Sequence, residues 1–434
     1  MRRRCSTVSL VLLLLAGSLP ESGAQSSEAP RQVASCASTW TAPVPLRMPD
    51  GRPVYIEPGS IGQNGNKVIT LGGPSFIWLS PTVFAPDPRD TAATKLGMVN
   101  LLWNFTRAGF LFDSTGQATP IDPPPLGMEQ AKPRLFRLDG DELGVVWGQD
   151  LDRSHKQERI FYARMKNLKW IDPVLLVDSV ADWQRNGGLS GITNTNPFYA
   201  VRHNSRFRPE RFVVGFLDDG VWKKFTLSID GLALFVNIIP LKDAVVALVE
   251  RGHIPRGVYA MRLRPSTSEA LTTEVEVQLD STSDSATGEA LLVKLTGDSL
   301  LAVWTHRNPR PDPANSLRSA LSPDGGKHWG LVTSIPAAGH IEFLGGTRSN
   351  NGVVHLVYNT STSGALGSPA AINHVSFSNG KWTTPDAVTN HEVHGPVIGS
   401  TLNGVVVTWA QYEDQWGRSG VAPRSYASWL KSCK

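Results

Sequence analysis

The chain has 434 residues, of which 41% are hydrophobic and 18% are charged, so it is long enough to bury a large core. Its formal charge of +4 falls to about +2 if the first 24 residues, with three Arg and one Glu, are removed. This near-neutral balance gives no electrostatic basis for binding nucleic acid or an anionic membrane surface. The length alone allows two or three domains, but the internal repeat described below argues for one.

The first 24 residues have the pattern of a secretory signal peptide. Arg2–Arg4 precede the apolar run Val8–Ala16, and Ser22–Ala24 supply the small residues of a cleavage site. The apolar run is too short to span a bilayer, and no later stretch is long and apolar enough. We therefore expect a secreted or periplasmic protein without a membrane span. Residues 25–35 are expected to form a disordered leader, and residues 36–434 the folded domain.

An internal repeat dominates the mature chain. Turns rich in Gly, Asn and Asp precede most of its apolar runs, and almost no stretch has the periodicity of an amphipathic helix, which is typical of all-β proteins. Short strands that recur about every 50 residues indicate propeller blades. We therefore expect a single β-propeller of six or seven four-stranded blades. The third and fourth runs are closely spaced, which leaves open whether one unit is incomplete. The seven runs are Gly97–Trp103, Leu143–Trp147, Phe212–Phe216, Ala244–Val249, Leu300–Trp304, Val353–Tyr358 and Gly404–Trp409.

The two ends of the mature chain are complementary. A Trp followed three residues later by Pro recurs within Lys169–Pro173 and Lys381–Pro385, and the N-terminal segment Thr39–Leu46 has the same pattern. The C-terminal unit, from His394 onward, supplies three strand-like runs and ends one strand short. We therefore predict that the N-terminal segment joins the C-terminal blade and closes the ring without a free edge.

Three cysteines bear on this closure. Cys5 lies in the signal peptide, whereas Cys36 and Cys433 lie at opposite ends of the mature chain and beside the predicted closing blade. In an oxidising compartment such a pair is expected to form a disulfide, and two unpaired thiols are the alternative. The closed loop is so long that its chain-entropy contribution would exceed about 4 kcal/mol, before strain.

An eight-residue motif, Ser-x-Asp-x-Gly-x-x-Trp, lies between the strand-like runs Leu317–Leu321 and Leu331–Ile335. Its Asp can accept hydrogen bonds from amides of a tight turn, and its Gly can supply a positive φ. Its Trp can pack the turn against a neighbouring sheet. We therefore expect a β-hairpin whose role is in folding. The fixed positions are Ser322, Asp324, Gly326 and Trp329.

This motif resembles the Asp box, or bacterial neuraminidase repeat, of sialidase-superfamily propellers, and the weaker blade pattern extends the resemblance over most of residues 40–430. In that family three Arg bind the substrate carboxylate, a Tyr activated by a Glu is the nucleophile, and an Asp is the acid/base. The segment nearest to the family's Phe/Tyr-Arg-Ile-Pro motif is Val54–Pro58, which lacks the Arg. The resemblance therefore implies the fold, and leaves open whether the protein is an enzyme.

The same resemblance places the connection after each second strand at the mouth of the central channel. The polar connections are Gln149–His155, Glu250–His253, His306–Asp312 and Tyr412–Arg418. Arg suits a carboxylate because its planar fork makes two parallel charge-assisted bonds. The predicted ligand-binding residues are Arg251, Arg307 and Arg418, with Trp416 as a stacking surface. The predicted catalytic residues are Tyr412, Glu413 and Asp150.

Two qualifications apply to these residues. Neighbouring residues on a strand face opposite ways, so Tyr412 and Glu413 can meet only in a loop. Connections can also be polar simply because they are exposed to water.

No metal or cofactor is expected. His391 and His394 are three residues apart on an extended segment and face opposite ways, whereas a zinc-binding helix needs His at i and i+4. The sequence contains no Cys-x-x-Cys, phosphate loop or dinucleotide fingerprint. Two hypotheses remain. In the first, an exported propeller binds, and as an enzyme hydrolyses, glycans with an acidic sugar. In the second, a non-catalytic propeller recognises a protein or peptide.

Overall fold

The computed structural model describes residues 39–47, 50–51, 61–64, 67–71, 109–112, 115–121, 134–138, 143–150, 158–166, 169–171, 173–180, 198–202, 210–218, 220–230, 233–251, 257–266, 269–281, 290–307, 315–337, 340–361, 370–389, 391, 393–401, 404–411 and 424–431. All these residues lie in strands, turns or irregular segments. Within these ranges no helix has the length and hydrophobicity needed to cross a bilayer.

Thirty strands are described, and they form six sheets. The N-terminal strands are β1 (Thr39–Trp40) and β2 (Val44–Pro45). Sheet 1 contains β3 (Ile61–Asn64), β4 (Lys67–Leu71), β5 (Gly109–Phe112) and β6 (Ala118–Ile121). Sheet 2 contains β7 (Arg134–Arg137), β8 (Leu143–Asp150), β9 (Glu158–Lys166), β10 (Lys169–Trp170) and β11 (Val174–Val180).

Sheet 3 contains β12 (Phe198–Arg202), β13 (Glu210–Asp218), β14 (Val221–Ile229), β15 (Ala233–Pro240), β16 (Val245–Arg251), β17 (Gly257–Pro265) and β18 (Ala270–Asp280). Sheet 4 contains β19 (Ala290–Lys294), β20 (Leu300–Arg307), β21 (Asn315–Ser322) and β22 (Thr333–Ile335). Sheet 5 contains β23 (His340–Arg348), β24 (Val354–Ser361), β25 (Ala370–Ser378), β26 (Lys381–Trp382) and β27 (Asp386–Thr389). Sheet 6 contains β28 (His394–Thr401), β29 (Gly404–Gln411) and β30 (Arg424–Lys431), together with β1 and β2.

The sheets are antiparallel meanders arranged as a propeller, so the predicted single all-β propeller is confirmed. First strands of successive meanders are in contact: β28 with β3, β3 with β7, β12 with β15, β15 with β19, β19 with β23, and β23 with β28. Six predicted runs overlap the second strand of a meander, namely β8, β13, β16, β20, β24 and β29. The run Gly97–Trp103 lies outside the described residues.

The sheets are less regular than the predicted series of four-stranded blades. Five sheets have four or five strands, and sheet 3 has seven. Sheet 3 combines a three-stranded meander, β12–β14, with a four-stranded one, β15–β18, through a parallel pairing of Thr226 with Ala270 and Leu227 with Leu271. The first of these meanders is the incomplete unit that the close spacing of two runs had suggested. A similar parallel bridge, between Arg47 and Gln117, links the end of sheet 6 to sheet 1.

The additional strands of sheets 2, 5 and 6 arise because the outer strand is interrupted. In each case two successive strands pair with the same neighbour: β10 and β11 with β9, β26 and β27 with β25, and β1 and β2 with β30. The break falls at the Trp-x-x-Pro pattern, because Pro has no N–H for the ladder. The prolines concerned are Pro43, Pro173 and Pro385.

Ring closure by the N-terminal segment is also confirmed. Trp40 pairs with Leu430 and Val44 with Ala427, so β1 and β2 are the outer strand of sheet 6. Between them, the amide of Thr41 donates to the carbonyl of Trp429 at 2.9 Å.

The core lies between neighbouring sheets. The largest fully buried side chains include Trp304, Tyr358 and Trp409, all in second strands. One cluster joins sheets 3 and 4 through residues such as Val246 and Leu292, and Trp329 packs against it. These interfaces hold each sheet against the next and fix the strand ends on which the polar groups lie.

Candidate functional site

The predicted site residues lie at one edge of the meanders, where second strands end and third strands begin. We call it the loop edge. Arg251 ends β16, Arg307 ends β20 and Asp150 ends β8, so the structure brings all three backbones to this edge. The side chains of Asp150 and Arg307 are outside the description. The following predicted residues lie wholly outside the described ranges: Cys36, Tyr412, Glu413, Trp416, Arg418 and Cys433.

Arg251 is already engaged by neighbouring strands of its own sheet. Its two terminal nitrogens donate to the two carboxylate oxygens of Glu276 at 3.0 and 2.7 Å, and its guanidinium lies 4.3 Å from the ring centre of Tyr259. Burial is the main reason that the pKa of Tyr259 is raised, and the Glu276 charge adds to it. Arg251 can therefore bind a ligand carboxylate through its terminal nitrogens only if at least one of its hydrogen bonds to Glu276 breaks.

A second charged group at the loop edge spans sheets 3 and 4, and we call it the carboxylate cluster. Asp280, the last residue of β18, is almost fully buried. Its Oδ2 accepts from Trp304 Nε1 and contacts His306 Nδ1, both at 2.7 Å, and its Oδ1 accepts from Arg318 at 3.3 Å. The side chains of His306 and Arg318 keep 11% and 30% of their surface exposed.

The protonation pattern of the carboxylate cluster follows from its donors. A carboxylate is an acceptor, so His306 donates through Nδ1–H, and its Nε2 is then the atom left to accept or carry a proton. No described residue binds His306 Nε2. Asp280 is thus the positioning residue, and His306 and Arg318 are the groups with remaining capacity for a ligand.

Sequence reasoning included His306 in a polar connection but missed Asp280 and Arg318. Neither residue has a sequence signal. Asp280 meets His306 only because the outer strand of one meander ends beside the second strand of the next.

The turn at Ser322–Trp329 lies at the opposite edge of sheet 4. Ser322 Oγ donates to Asp324 Oδ1 at 3.1 Å and accepts from the amide of Gly326 at 2.8 Å, and Asp324 Oδ1 accepts from the amide of His328 at 2.9 Å. Gly325 and Gly326 have φ of 71° and 84°, a left-handed region in which a side chain is strained. Burial raises the pKa of Asp324, but the bonds from His328 and Ser322 outweigh it and lower the pKa to about 2.

This turn is also fixed to the preceding meander. The side chain of Arg262, on β17, is 2% exposed and donates to the carbonyl of Gly325 at 2.6 Å. The same guanidinium forms ion pairs with Asp243 at 2.9 Å and Glu274 at 3.2 Å. The turn therefore acts as a connection between sheets, away from the loop edge.

A third polar group, which we call the histidine chain, extends from sheet 5 to the closing strand. It links Ser349, His355, His374, Asp386 and Trp40 in that order. The successive distances are 3.2 Å from Ser349 Oγ to His355 Nε2, 3.0 Å from His355 Nδ1 to His374 Nε2, 2.7 Å from His374 Nδ1 to Asp386 Oδ1, and 2.8 Å from Asp386 Oδ2 to Trp40 Nε1.

The direction of the histidine chain is set by Ser349. Its hydroxyl lies 2.5 Å from Asn351 Oδ1 and 2.9 Å from the carbonyl of Val353, so it donates there and accepts from His355 Nε2–H. His355 Nδ1 is then an acceptor, and His374 donates through both ring nitrogens. Burial, and then the charge of His374, lower the pKa of His355 to about 3. Ser349 is therefore a hydrogen-bond donor to its own turn and not an activated nucleophile.

A cavity in the described residues shares no lining residue with the carboxylate cluster. It is lined by Pro45, Leu46, Arg47 and Arg424 of sheet 6. Arg47 there donates to the carbonyl of Gly51 at 3.2 Å. We place the candidate site at the carboxylate cluster instead, because it joins an acid-base group to a partly exposed cation. In the described part of the chain no group of three His, Cys, Asp or Glu could hold a metal.

Comparison with known proteins adds fold similarities at low identity. No protein-family model matches this chain, and no curated protein sequence matches it. An α-L-arabinanase of Penicillium chrysogenum, solved with arabinobiose, is 13% identical, with a TM-score of 0.44 over 71% of this chain and 96% of that one. A protein of unknown function from Dyadobacter fermentans is 13% identical, with a TM-score of 0.43 over 70% and 95%. A variant of the NanB sialidase of Streptococcus pneumoniae is 9% identical, with a TM-score of 0.39 over 87% and 68%.

Proposed function

We propose that this protein is an exported propeller that binds a glycan through an acidic sugar at the loop edge. The observation that carries the proposal is the carboxylate cluster, in which Asp280 holds His306 and the partly exposed Arg318 side by side. Among the described residues Arg318 makes one bond, at 3.3 Å, so most of its five donors remain for a ligand. A guanidinium can take a carboxylate by two parallel bonds, and an imidazole can add a third polar contact.

The predicted Arg residues extend this proposed site. Arg251 and Arg307 end neighbouring second strands of sheets 3 and 4, and we propose that they and Arg418 complete the carboxylate contacts, with Trp416 as a stacking surface. Export by the signal peptide, the Cys36–Cys433 disulfide and the Asp-box assignment of the Ser322–Trp329 turn belong to the same proposal.

If the protein hydrolyses sialosides, we propose that Tyr412 paired with Glu413 is its nucleophile and Asp150 its acid/base. A fluorogenic sialoside assay tests this enzymatic form. Turnover by the wild type that Tyr412→Phe abolishes would support it, whereas binding without turnover would support a lectin-like propeller.

Binding itself is tested with an array of acidic and neutral glycans. We expect Arg318→Gln to weaken binding by about 1.5–3 kcal/mol, the range for a hydrogen bond to a charged group, and Arg318→Lys to restore only part of it. Arg211→Gln, on the exposed surface of β13, is the matched control and should leave affinity unchanged. Arg251→Gln should cost less affinity than Arg318→Gln, because Glu276 already occupies its fork. An array without any signal for acidic glycans would reject the proposal.

The second candidate function is a scaffold for a protein partner. This candidate is supported by exposed apolar side chains on β11 of sheet 2, just before β11, and at the start of β14 of sheet 3. Between 46% and 63% of the surface of each is exposed, for Ile171, Val174, Leu175 and Val221. Charged substitutions at Val174 and Leu175 should leave glycan binding intact. If no acidic glycan binds, this candidate becomes the stronger one.

A further inference from the structure

We propose that His306 transfers a proton in the β-elimination of polysaccharides that contain hexuronate. The inference rests on the proposed function, because it takes an acidic sugar at the loop edge as its starting point. It names the substrate class, a 4-linked hexuronate, and a reaction different from hydrolysis.

The carboxylate cluster is unsuited to two-carboxylate glycoside hydrolysis. Asp280 accepts from Trp304 and His306 through one oxygen and from Arg318 through the other, so three of its four lone-pair sites are used. A carboxylate held in this way is a poor nucleophile and a poor acid. Among the described residues none binds His306 Nε2, and the orientation of the ring is fixed by the 2.7 Å bond from Nδ1 to Asp280.

The position of Arg318 identifies the chemistry that this imidazole can perform. Arg318 binds Oδ1 of the same carboxylate whose Oδ2 binds His306, so the base and the cation are neighbours. A proton next to a carboxylate is removed only if the charge that develops on the carboxylate is stabilised. A guanidinium bound to the uronate carboxylate supplies that stabilisation, and an adjacent imidazole removes the proton.

The reaction balances without any further reagent. His306 Nε2 takes the proton from C5 of the hexuronate, and the C5–H electron pair forms the C4=C5 double bond. The bond from C4 to the glycosidic oxygen breaks, and that oxygen takes the proton from the resulting imidazolium. One chain end gains a hydroxyl, the other carries an unsaturated uronate, and His306 returns to its starting state.

The test uses the mature protein with polygalacturonate, alginate and hyaluronan, and with neutral arabinan as a negative control. The expected result is a new near-ultraviolet absorbance and, by mass spectrometry, a product one water lighter than the hydrolysis product. Glycan binding is measured in parallel. Binding of a uronate polymer without the unsaturated product overturns the inference and leaves the proposed function in place. No binding of any acidic glycan overturns both.

Variants then assign the roles. We expect His306→Gln to lower kcat by about 10²–10⁴-fold, the usual range for loss of a general acid-base, with KM little changed. Asp280→Asn should lower kcat and also shift the acidic limb of the pH profile, which a merely structural role would not do. Arg318→Gln should raise KM and lower kcat. His391→Gln, at an exposed position, is the control and should match the wild type.

If His306→Gln does not fold, the wild type still provides a test. NMR signals of the His306 imidazole should shift when a uronate oligosaccharide is titrated in. Signals that do not move under saturating ligand would overturn the assignment of His306.

Discussion

The closing strand offers the sharpest test of how this propeller is held together. Trp40→Phe keeps an aromatic ring beside His374, where the two rings now meet edge to face at 5.1 Å, but removes the N–H that donates to Asp386 at 2.8 Å. The acceptor is charged: burial raises the pKa of Asp386, yet the bonds from His374 and Trp40 leave it below the ordinary value. A bond to a charged group is worth about 1.5–3 kcal/mol, so we expect the closing strand to open more easily by that amount.

Hydrogen exchange measures this opening locally. The amide of Trp429 is bound by Thr41 Oγ1 at 3.0 Å, so it exchanges when the closing strand leaves β30. Its exchange should accelerate by roughly 10- to 100-fold in Trp40→Phe, since about 1.4 kcal/mol corresponds to a factor of ten. Trp382→Phe is the matched control. It removes a hydrogen bond of 3.1 Å to the neutral hydroxyl of Ser319, outside sheet 6, and should leave the exchange rate of the Trp429 amide unchanged.

A double-mutant cycle that combines Trp40→Phe with Asp386→Ala should give a coupling energy of about 1.5–3 kcal/mol. Unchanged protection of Trp429 in Trp40→Phe, or equal acceleration in every sheet, would refute the reasoning.

Two further outcomes follow from the contacts described above, and a third from the sequence. Asp324→Asn should lower the free energy of unfolding at neutral pH. The difference from the wild type should shrink as the pH falls from the ordinary carboxyl pKa of 3.8 towards about 2, because the stabilisation from a depressed pKa disappears once the folded state is also protonated. Urea unfolding at several pH values checks this, and a pH-independent difference would contradict it. Arg262→Met should lower the free energy of unfolding by about 1.5–3 kcal/mol through loss of its charged hydrogen bonds, whereas Arg264→Met, at a 62% exposed side chain, should change it by less than about 1 kcal/mol. Peptide mapping of non-reduced exported protein should yield one peptide joining Cys36 to Cys433, and two alkylated thiols would reject the bond.

The parts of the fold that were predictable are those encoded in local patterns. The Trp-x-x-Pro pattern at Trp40, Trp170 and Trp382 marks interrupted outer strands, and it identified the closing strand because the same turn chemistry recurs wherever an outer strand is broken. The predicted runs fell on second strands, which are buried on both faces and so have continuous apolar sequences. The sheets depart from four strands because a broken outer strand counts twice, and because a two-residue parallel pairing merges two meanders.

The candidate site was harder to predict because its contacts are not local. The guanidinium of Arg251 binds Glu276 on β18. The pairing of β17 with β18 contains two bulges, which determine where Glu276 lies, and no sequence rule gives the positions of the bulges. Asp280 meets His306 across two meanders, at a separation of 26 residues. Polar composition alone indicated the loop edge but could not identify which carboxylate would hold which cation.

The interrupted outer strands also affect how molecules of this protein meet one another. An unbroken outer strand offers a row of free N–H and C=O groups that can pair with the same strand of another molecule. Here Pro43, Pro173 and Pro385 are exposed within or beside such strands and remove donors from the row. Pairing between copies along β1, β2, β10 or β26 would therefore stop after two residues, too few to hold two sheets together in water. The interruptions that add strands to these sheets thus also reduce edge-to-edge association between copies of the protein.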